Sequence, residues 1–245
     1  METTQAKTTN GYLLPAAILV AGLLISGAVL YTAQNTAPTN YEPEPLAQEE
    51  EEPRNLDALR SLSEQDHVRG GRDAQVTIFE YSDFECPFCK QFHDTMNSLM
   101  SKYEGTNKLA WVYRHFPLES LHPIKAEKEA IASECAAAQG GDDAFWKFAD
   151  AFFELTPSNN QTDIDTVFPQ IAEAIGLDVA AFTTCVNNDT YKDRVQADVE
   201  NATATGGNGT PWSILVGPDG TKYPINGALP QAAIEELIET ALKAS

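Results

Sequence analysis

Residues 74–93 read Ala-Gln-Val-Thr-Ile-Phe-Glu-Tyr-Ser-Asp-Phe-Glu-Cys-Pro-Phe-Cys-Lys-Gln-Phe-His, and the fold is read outward from them. Val76 to Tyr81 is an apolar, β-prone run. Ser82-Asp83 is a turn, and from Cys86 onward the pattern is helical. Cys86-Pro87-Phe88-Cys89 therefore falls on the first turn of a helix that follows a strand. A helix N-terminus carries unpartnered N–H groups and about half a positive charge, and both favour a thiolate over a thiol. Pro87 suits the first helical position, where its missing N–H would have had no partner. The i,i+3 spacing brings Cys89 alongside Cys86, close enough for a disulfide. Cys86 is expected to be the exposed nucleophile and Cys89 the buried resolving thiol.

A Cys-x-x-Cys pair also serves as half of a zinc site or as a structural bridge. A zinc site needs a second ligand pair at suitable spacing, and the other two cysteines, Cys135 and Cys185, stand far apart in the sequence. His93, four residues after Cys89, is on the same helical face. It leaves open a three-ligand soft-metal site of Cys86, Cys89 and His93, as in a copper or zinc chaperone.

Downstream, the pattern predicts a strand over about 109–116, a helical block over about 122–205, strands over 212–216 and 222–226, and a helix over 230–244. Pro218-Asp219-Gly220 turns the last two strands into a hairpin. This is an α/β chain in which a β-α-β unit and a β-β-α unit flank a helical insertion. Phe145, Phe148, Ala149, Phe152 and Phe153 form an aromatic stripe at helical spacing, read as core in preference to a groove lining. Cys135 shares a helical face with Ile131 and Ala138, and Cys185 shares one with Phe182 and Val186. Both cysteines are expected in the helical core, as free thiols or as a disulfide.

The chain has 245 residues and a formal net charge of −20, which argues against nucleic acid and anionic lipid head groups as partners. Residues 1–11 are short and polar. Residues 12–31 carry no charge and are long enough to span a bilayer as a helix. A cleaved signal would have a shorter apolar run, a basic start and a small-x-small site. A retained single-pass anchor is the preferred reading. Lys7 before the span, with Glu42 and Glu44 as the first charges after it, puts the N-terminus in the cytoplasm and the rest outside. Residues 32–63, rich in Pro and Glu, read as a disordered acidic linker, and residues 64–245 as the folded domain.

The run Val76–Cys89, together with Arg114-His115-Phe116-Pro117-Leu118 and Gly209-Thr210-Pro211, resembles DsbA-like thiol–disulfide oxidoreductases of the thioredoxin superfamily. The resemblance implies a thioredoxin-like fold with a helical insertion and a redox-active Cys86–Cys89 disulfide, with no cofactor and with Thr210, Pro211 and Glu80 serving the pair. It implies that Thr210-Pro211 is a cis-proline loop facing the cysteines. Glu80 would be a buried acid beneath Cys89 that relays a proton, and Cys135–Cys185 a structural disulfide as in some relatives. Strongly oxidising relatives carry His where this chain has Phe88, which implies a milder oxidant. The implied partners are exported proteins with thiols or disulfides and a quinone-linked membrane reoxidase. A reductase or isomerase using the same motif is the alternative within the class.

Overall fold

The computed structural model describes residues 54–244. The expected N-terminal segment 1–11, the span 12–31 and most of the linker lie outside the described residues. No described helix is long and apolar enough to cross a membrane.

Among the described residues five strands form one sheet in the order β1-β3-β2-β4-β5. They are β1 (His67–Gly70), β2 (Val76–Ser82), β3 (Leu109–His115), β4 (Trp212–Val216) and β5 (Lys222–Asn226). The central strand β2 runs parallel to β3 and antiparallel to β4. Helix α1 (Pro87–Lys102) makes the crossover from β2 to β3, and α6 (Gln231–Lys243) ends the chain. Between β3 and β4 the helical block resolves into α2 (Lys125–Leu155), α3 (Ile164–Ala174), α4 (Val179–Asn187) and α5 (Lys192–Ala204). Helix α2 is broken at Gly140–Gly141, where Gly141 takes a φ of 63°.

Strand period two sends Val76, Ile78 and Glu80 to one face of the sheet and Phe79 and Tyr81 to the other. The first face packs on α1, α6 and the inserted helices. On the opposite face, Tyr81, Trp212 and Ile214 pack with Ala202 and Val199 of α5 and with Leu56 and Leu59. The inserted stripe Phe145, Phe148, Ala149, Phe152 and Phe153 is buried core.

Two features of the fold depart from the sequence reading. Strand β1 was not anticipated: His-Val-Arg-Gly has a single aliphatic residue and no usable alternation. It exists because it pairs with β3, and because the His67 imidazole is held between Glu134 at 3.1 Å and Asp142 at 3.0 Å. Residues 54–63, assigned to the linker, pack along the domain instead. Leu56, Leu59 and Leu62 cover sheet residues, and Arg60 pairs with Asp198. Asn201 donates to the Ala58 carbonyl at 2.7 Å. The acidic, proline-broken composition of the preceding residues hid these three leucines.

Cys135 of α2 and Cys185 of α4 are joined in a disulfide that closes a loop across a sequence separation of 50. On the chain-entropy model such a loop contributes about 4 kcal/mol, against about 2–4 kcal/mol typical of measured bridges. Changing both cysteines to alanine is expected to lower the urea midpoint by an amount in that range without changing the fold. An unchanged midpoint would mean that the bridge restrains nothing the helical packing does not already hold.

Candidate active site

The chain leaves β2 at Ser82 and enters α1 at Pro87, with Cys86 as the N-cap in extended backbone. The four first-turn N–H groups of a helix lack intrahelical partners, and here those of Phe88 and Cys89 favour the ionised Cys86 sulfur. Cys86 and Cys89 are present as thiols. A hydrogen bond from Cys89 pulls the Cys86 thiol down to about 6, against partial burial, with further help from Thr210 and those two N–H groups. Burial and the neighbouring Cys86 push Cys89 well up. The two sulfurs are thus separated in role, one ionised near neutral pH and the other held protonated.

The expectation of an exposed Cys86 is corrected: its side chain is only 5% exposed. The segment before β4 covers it. The Thr210–Pro211 peptide is cis, and Cys86 Sγ–H donates to the Thr210 carbonyl at 3.4 Å. The Thr210 hydroxyl is buried beside the sulfur, without a partner among the described residues, and can donate to the thiolate form. Trp212, next to Pro211, is fixed from below by a bond from its Nε1 to Thr205 Oγ1 at 2.9 Å. Arg54 lies over its ring. A Cβ at Gly207 would stand 2.7 Å from the indole, so a glycine is needed there.

Glu80 is fully buried on the α1 side of β2. Its register partners are Tyr113 on β3 and Ser213 on β4. Trp111 Nε1 donates to Glu80 Oε2 at 2.8 Å, while Glu80 Oε1, Ser82 Oγ, Tyr113 OH and Ser213 Oγ have no hydrogen-bond partner among the described residues. Burial raises the Glu80 carboxyl to about 7, against the lowering effect of Ser82 and Trp111. The negative Glu80 in turn pushes Cys89 up. A half-protonated acid at neutral pH therefore stands within electrostatic reach of the resolving thiol.

Residues that the sequence reading passed over complete the site. Asp83 accepts the Glu85 N–H at 2.8 Å, the Leu118 N–H at 2.8 Å and the His122 imidazole at 2.8 Å. Its own N–H faces Cys89 Sγ at 3.5 Å. Glu85 accepts the N–H groups of Gln161 and Thr162, each at 3.2 Å, and its carbonyl takes the Asn159 N–H at 2.7 Å. Residues 83–85 thereby hold two loops from the inserted segment. Ser82-Asp83 was legible as a turn, but nothing in the local pattern named its partners.

The structure turns His93 away from the metal alternative. It is buried in α1, with Nε2 2.7 Å from Asp150, and it packs on Trp111 and Phe153. Among the described residues no group of three or more His, Cys, Asp and Glu side chains is arranged to hold a metal ion.

Among the described residues the exposed large hydrophobic side chains are Phe88, Leu121, Ile124 and Leu155. Phe88 lies between the cysteines. Leu121 and Ile124 flank His122, and Leu155 precedes Thr156, whose carbonyl is held by Lys90 of α1 at 2.8 Å. The apolar surface is therefore carried by segments tied to the start of α1.

The fold has counterparts among known proteins. The chain is 38% identical over 170 residues to a protein of Mycolicibacterium gilvum named Na(+)/H(+) antiporter NhaA 1, covering 68% of this chain and 26% of that protein. It thus spans about a quarter of the length of that curated relative. Among solved structures it is similar to DsbA2 of Pseudomonas aeruginosa, at 28% identity and a TM-score of 0.61, covering 75% of this chain and 98% of that one. Oxidised BdbD of Bacillus subtilis gives 21% identity and a TM-score of 0.66, covering 76% and 97%, a likeness of fold alone. A family model described as Thioredoxin matches residues 62–240, and the chain belongs to that family.

Proposed function

We propose that this thiol–disulfide oxidoreductase donates disulfides to exported proteins outside the cytoplasm, through the Cys86–Cys89 pair. The observation that carries the reading is the Cys86 sulfur, lowered to about 6 at a helix N-terminus and set against the Thr210 carbonyl. A stable thiolate stabilises the reduced form and so favours handing the disulfide on. The Cys135–Cys185 bridge fits an oxidising compartment. The anchor read at residues 12–31 would hold the domain at the membrane, near a quinone-linked reoxidase. The antiporter name belongs to proteins of which this chain matches a quarter, and none of their transport activity enters the proposal.

In the donating direction a substrate thiolate attacks Cys86 of the oxidised pair, forming a mixed disulfide and expelling Cys89 as a thiolate. Cys89 takes a proton, and the raised Glu80 carboxyl is the donor in this reading. A second substrate thiolate attacks the substrate sulfur of the mixed disulfide and releases Cys86 as a thiolate. Two electrons pass from substrate to enzyme, and the substrate leaves with one disulfide. The backbone at Thr210 offers an extended substrate segment a partner. The exposed Phe88, Leu121, Ile124 and Leu155 suit the apolar side chains of a polypeptide not yet folded.

The test is the equilibrium reduction potential of the full-length chain against glutathione. A disulfide donor is expected on the oxidising side of about −200 mV. A value near about −270 mV, that of thioredoxin, would overturn the donor direction and make the protein a reductant.

Glu80 gives a second expected outcome. Its folded carboxyl, raised to about 7, binds a proton that the unfolded chain has already lost above its ordinary value near 4.5. The contribution of Glu80 to the stability of the dithiol form therefore falls as pH rises between those values, by up to about 3 kcal/mol. Glu80→Gln is expected to flatten that slope in urea titrations and to slow turnover at neutral pH. A slope that persists in the variant would place the titrating group elsewhere.

A further inference from the structure

The two residues between the cysteines, Pro87 and Phe88, carry no charge, so any side-chain cation for the Cys86 thiolate must come from another segment. Two nearby basic side chains of α1 are committed elsewhere. Lys90 donates to the carbonyls of Glu154 and Thr156, and His93 faces Asp150. His122, on the loop between β3 and α2, is the third. Its Nδ1 lies 2.8 Å from Asp83 Oδ2. The same Asp83 frames both cysteines: its carbonyl takes the Cys86 N–H at 3.1 Å, and its N–H faces Cys89 Sγ at 3.5 Å. The Leu118 N–H, donating to Asp83 Oδ2, fixes the loop that carries the imidazole. His122 is 5% exposed, so solvent screens its charge poorly.

We propose that His122, oriented by Asp83, is the cationic partner of the Cys86 thiolate, so that reduction of the cysteine pair favours a proton on His122. This rests on the thiol–disulfide reading of the same site. His122 is an electrostatic and positioning residue: it contacts Asp83, and its charge reaches the sulfur through space. The hydrogen bond to Asp83 raises the imidazole pKa against partial burial, and the negative Asp83, Cys86 and Glu85 raise it further. The charged groups around it are Asp83, Glu85 and Cys86 from the β2–α1 turn, Glu119 from its own loop, and Lys125 and Glu129 from α2. Glu119 is occupied by the Ile124 N–H and Lys125 by the Asn160 carbonyl. Burial and the adjacent Glu85 raise Glu129 to about 10, which leaves it neutral. Cys86 is thus the group in this set whose charge changes with redox state.

Two coupled ionisations must shift one another equally. The full-length chain has four histidines, so histidine-labelled protein gives four imidazole titration curves, with His122 assigned by backbone correlations. The expected result is a His122 midpoint about 0.5–1 pH unit higher in the reduced protein than in the oxidised protein. Reciprocally, His122→Gln, which keeps a donor to Asp83 without the charge, is expected to weaken the Cys86 acid by about three- to tenfold, read by thiolate absorbance. It should shift the glutathione equilibrium toward a weaker oxidant. Equal His122 midpoints in both redox states would overturn the proposal, and this arm uses the unmodified chain, so it stands even where the variant does not fold. A Cys86 midpoint unmoved in a folded His122→Gln variant would overturn it as well. A cysteine pair that does not exchange with glutathione at all would instead remove the thiol–disulfide reading itself.

Discussion

Replacing Cys86 with serine is expected to lower the rate of dithiol oxidation by at least about a thousandfold, because the thiolate is the nucleophile and the serine hydroxyl does not ionise near neutral pH. Replacing Cys89 with serine should act differently. Cys86 can still form a mixed disulfide, but no internal thiol can resolve it, so the variant should accumulate as a covalent adduct with its substrate. The reduced wild-type protein supplies the control. With Cys86 lowered to about 6 and Cys89 pushed well up, a brief pulse of iodoacetamide at pH 7 should label Cys86 alone. Because the folded Cys86 value lies below that of an unfolded thiol, its contribution to the stability of the reduced form is complete above the ordinary thiol range. It is lost as the pH falls through about 6. Equal labelling of the two cysteines by mass spectrometry would contradict the division of roles that the helix N-terminus sets up.

The second large effect concerns stability. Arg114 is 1% exposed at the end of β3, and every direction of its guanidinium is used. Nε and Nη2 donate to Asp66 at 2.8 and 3.1 Å, Nη1 to Tyr81 and Asn201, and Nη2 also to the carbonyls of Arg60 and Ser61. Burial alone would raise the Asp66 carboxyl, but Arg114 overcomes it and holds Asp66 below the usual carboxylate range. Arg114→Leu would leave Asp66 charged, buried and unpaired, at a cost of about 3–5 kcal/mol. The loss should show as a lower urea midpoint, and as faster hydrogen exchange over residues 54–66, which lose their anchor to β3. Asp66→Asn together with Arg114→Leu should recover part of the stability, since the uncompensated charge is then gone. If the single variant lost less than about 1 kcal/mol, the ion pair would be holding nothing that the leucines at 56, 59 and 62 do not hold by themselves.

Much of this protein was legible because the relevant signals are local. Six of the elements around the site follow from period and punctuation: β2, α1, β3, β4, β5 and α6 all stand within a few residues of where the sequence predicts them. Pro87 at the first turn of α1 is a capping signal written in adjacent residues. The aromatic stripe of α2 reads as core from its spacing alone. The features that failed are those decided by contacts distant in sequence. Strand β1 has no pattern of its own and is made by its pairing with β3, forty or more residues on. The burial of Cys86 depends on the Thr210 segment, 124 residues away. The importance of Asp83 lies in His122 and Leu118, and that of Glu85 in residues 159–162.

By itself, then, the sequence determined a strand, a turn and a helix that begins at a Cys-x-x-Cys motif, and with them the class of chemistry. Periodicity and helix capping are properties of neighbouring residues, so they can be read without knowing the rest of the molecule. Only the tertiary structure decided which thiol is the more acidic, which acid is held near neutrality and which imidazole Asp83 orients. Those outcomes depend on desolvation and on the nearest opposite charge, and both are set by groups that folding brings together from distant parts of the chain.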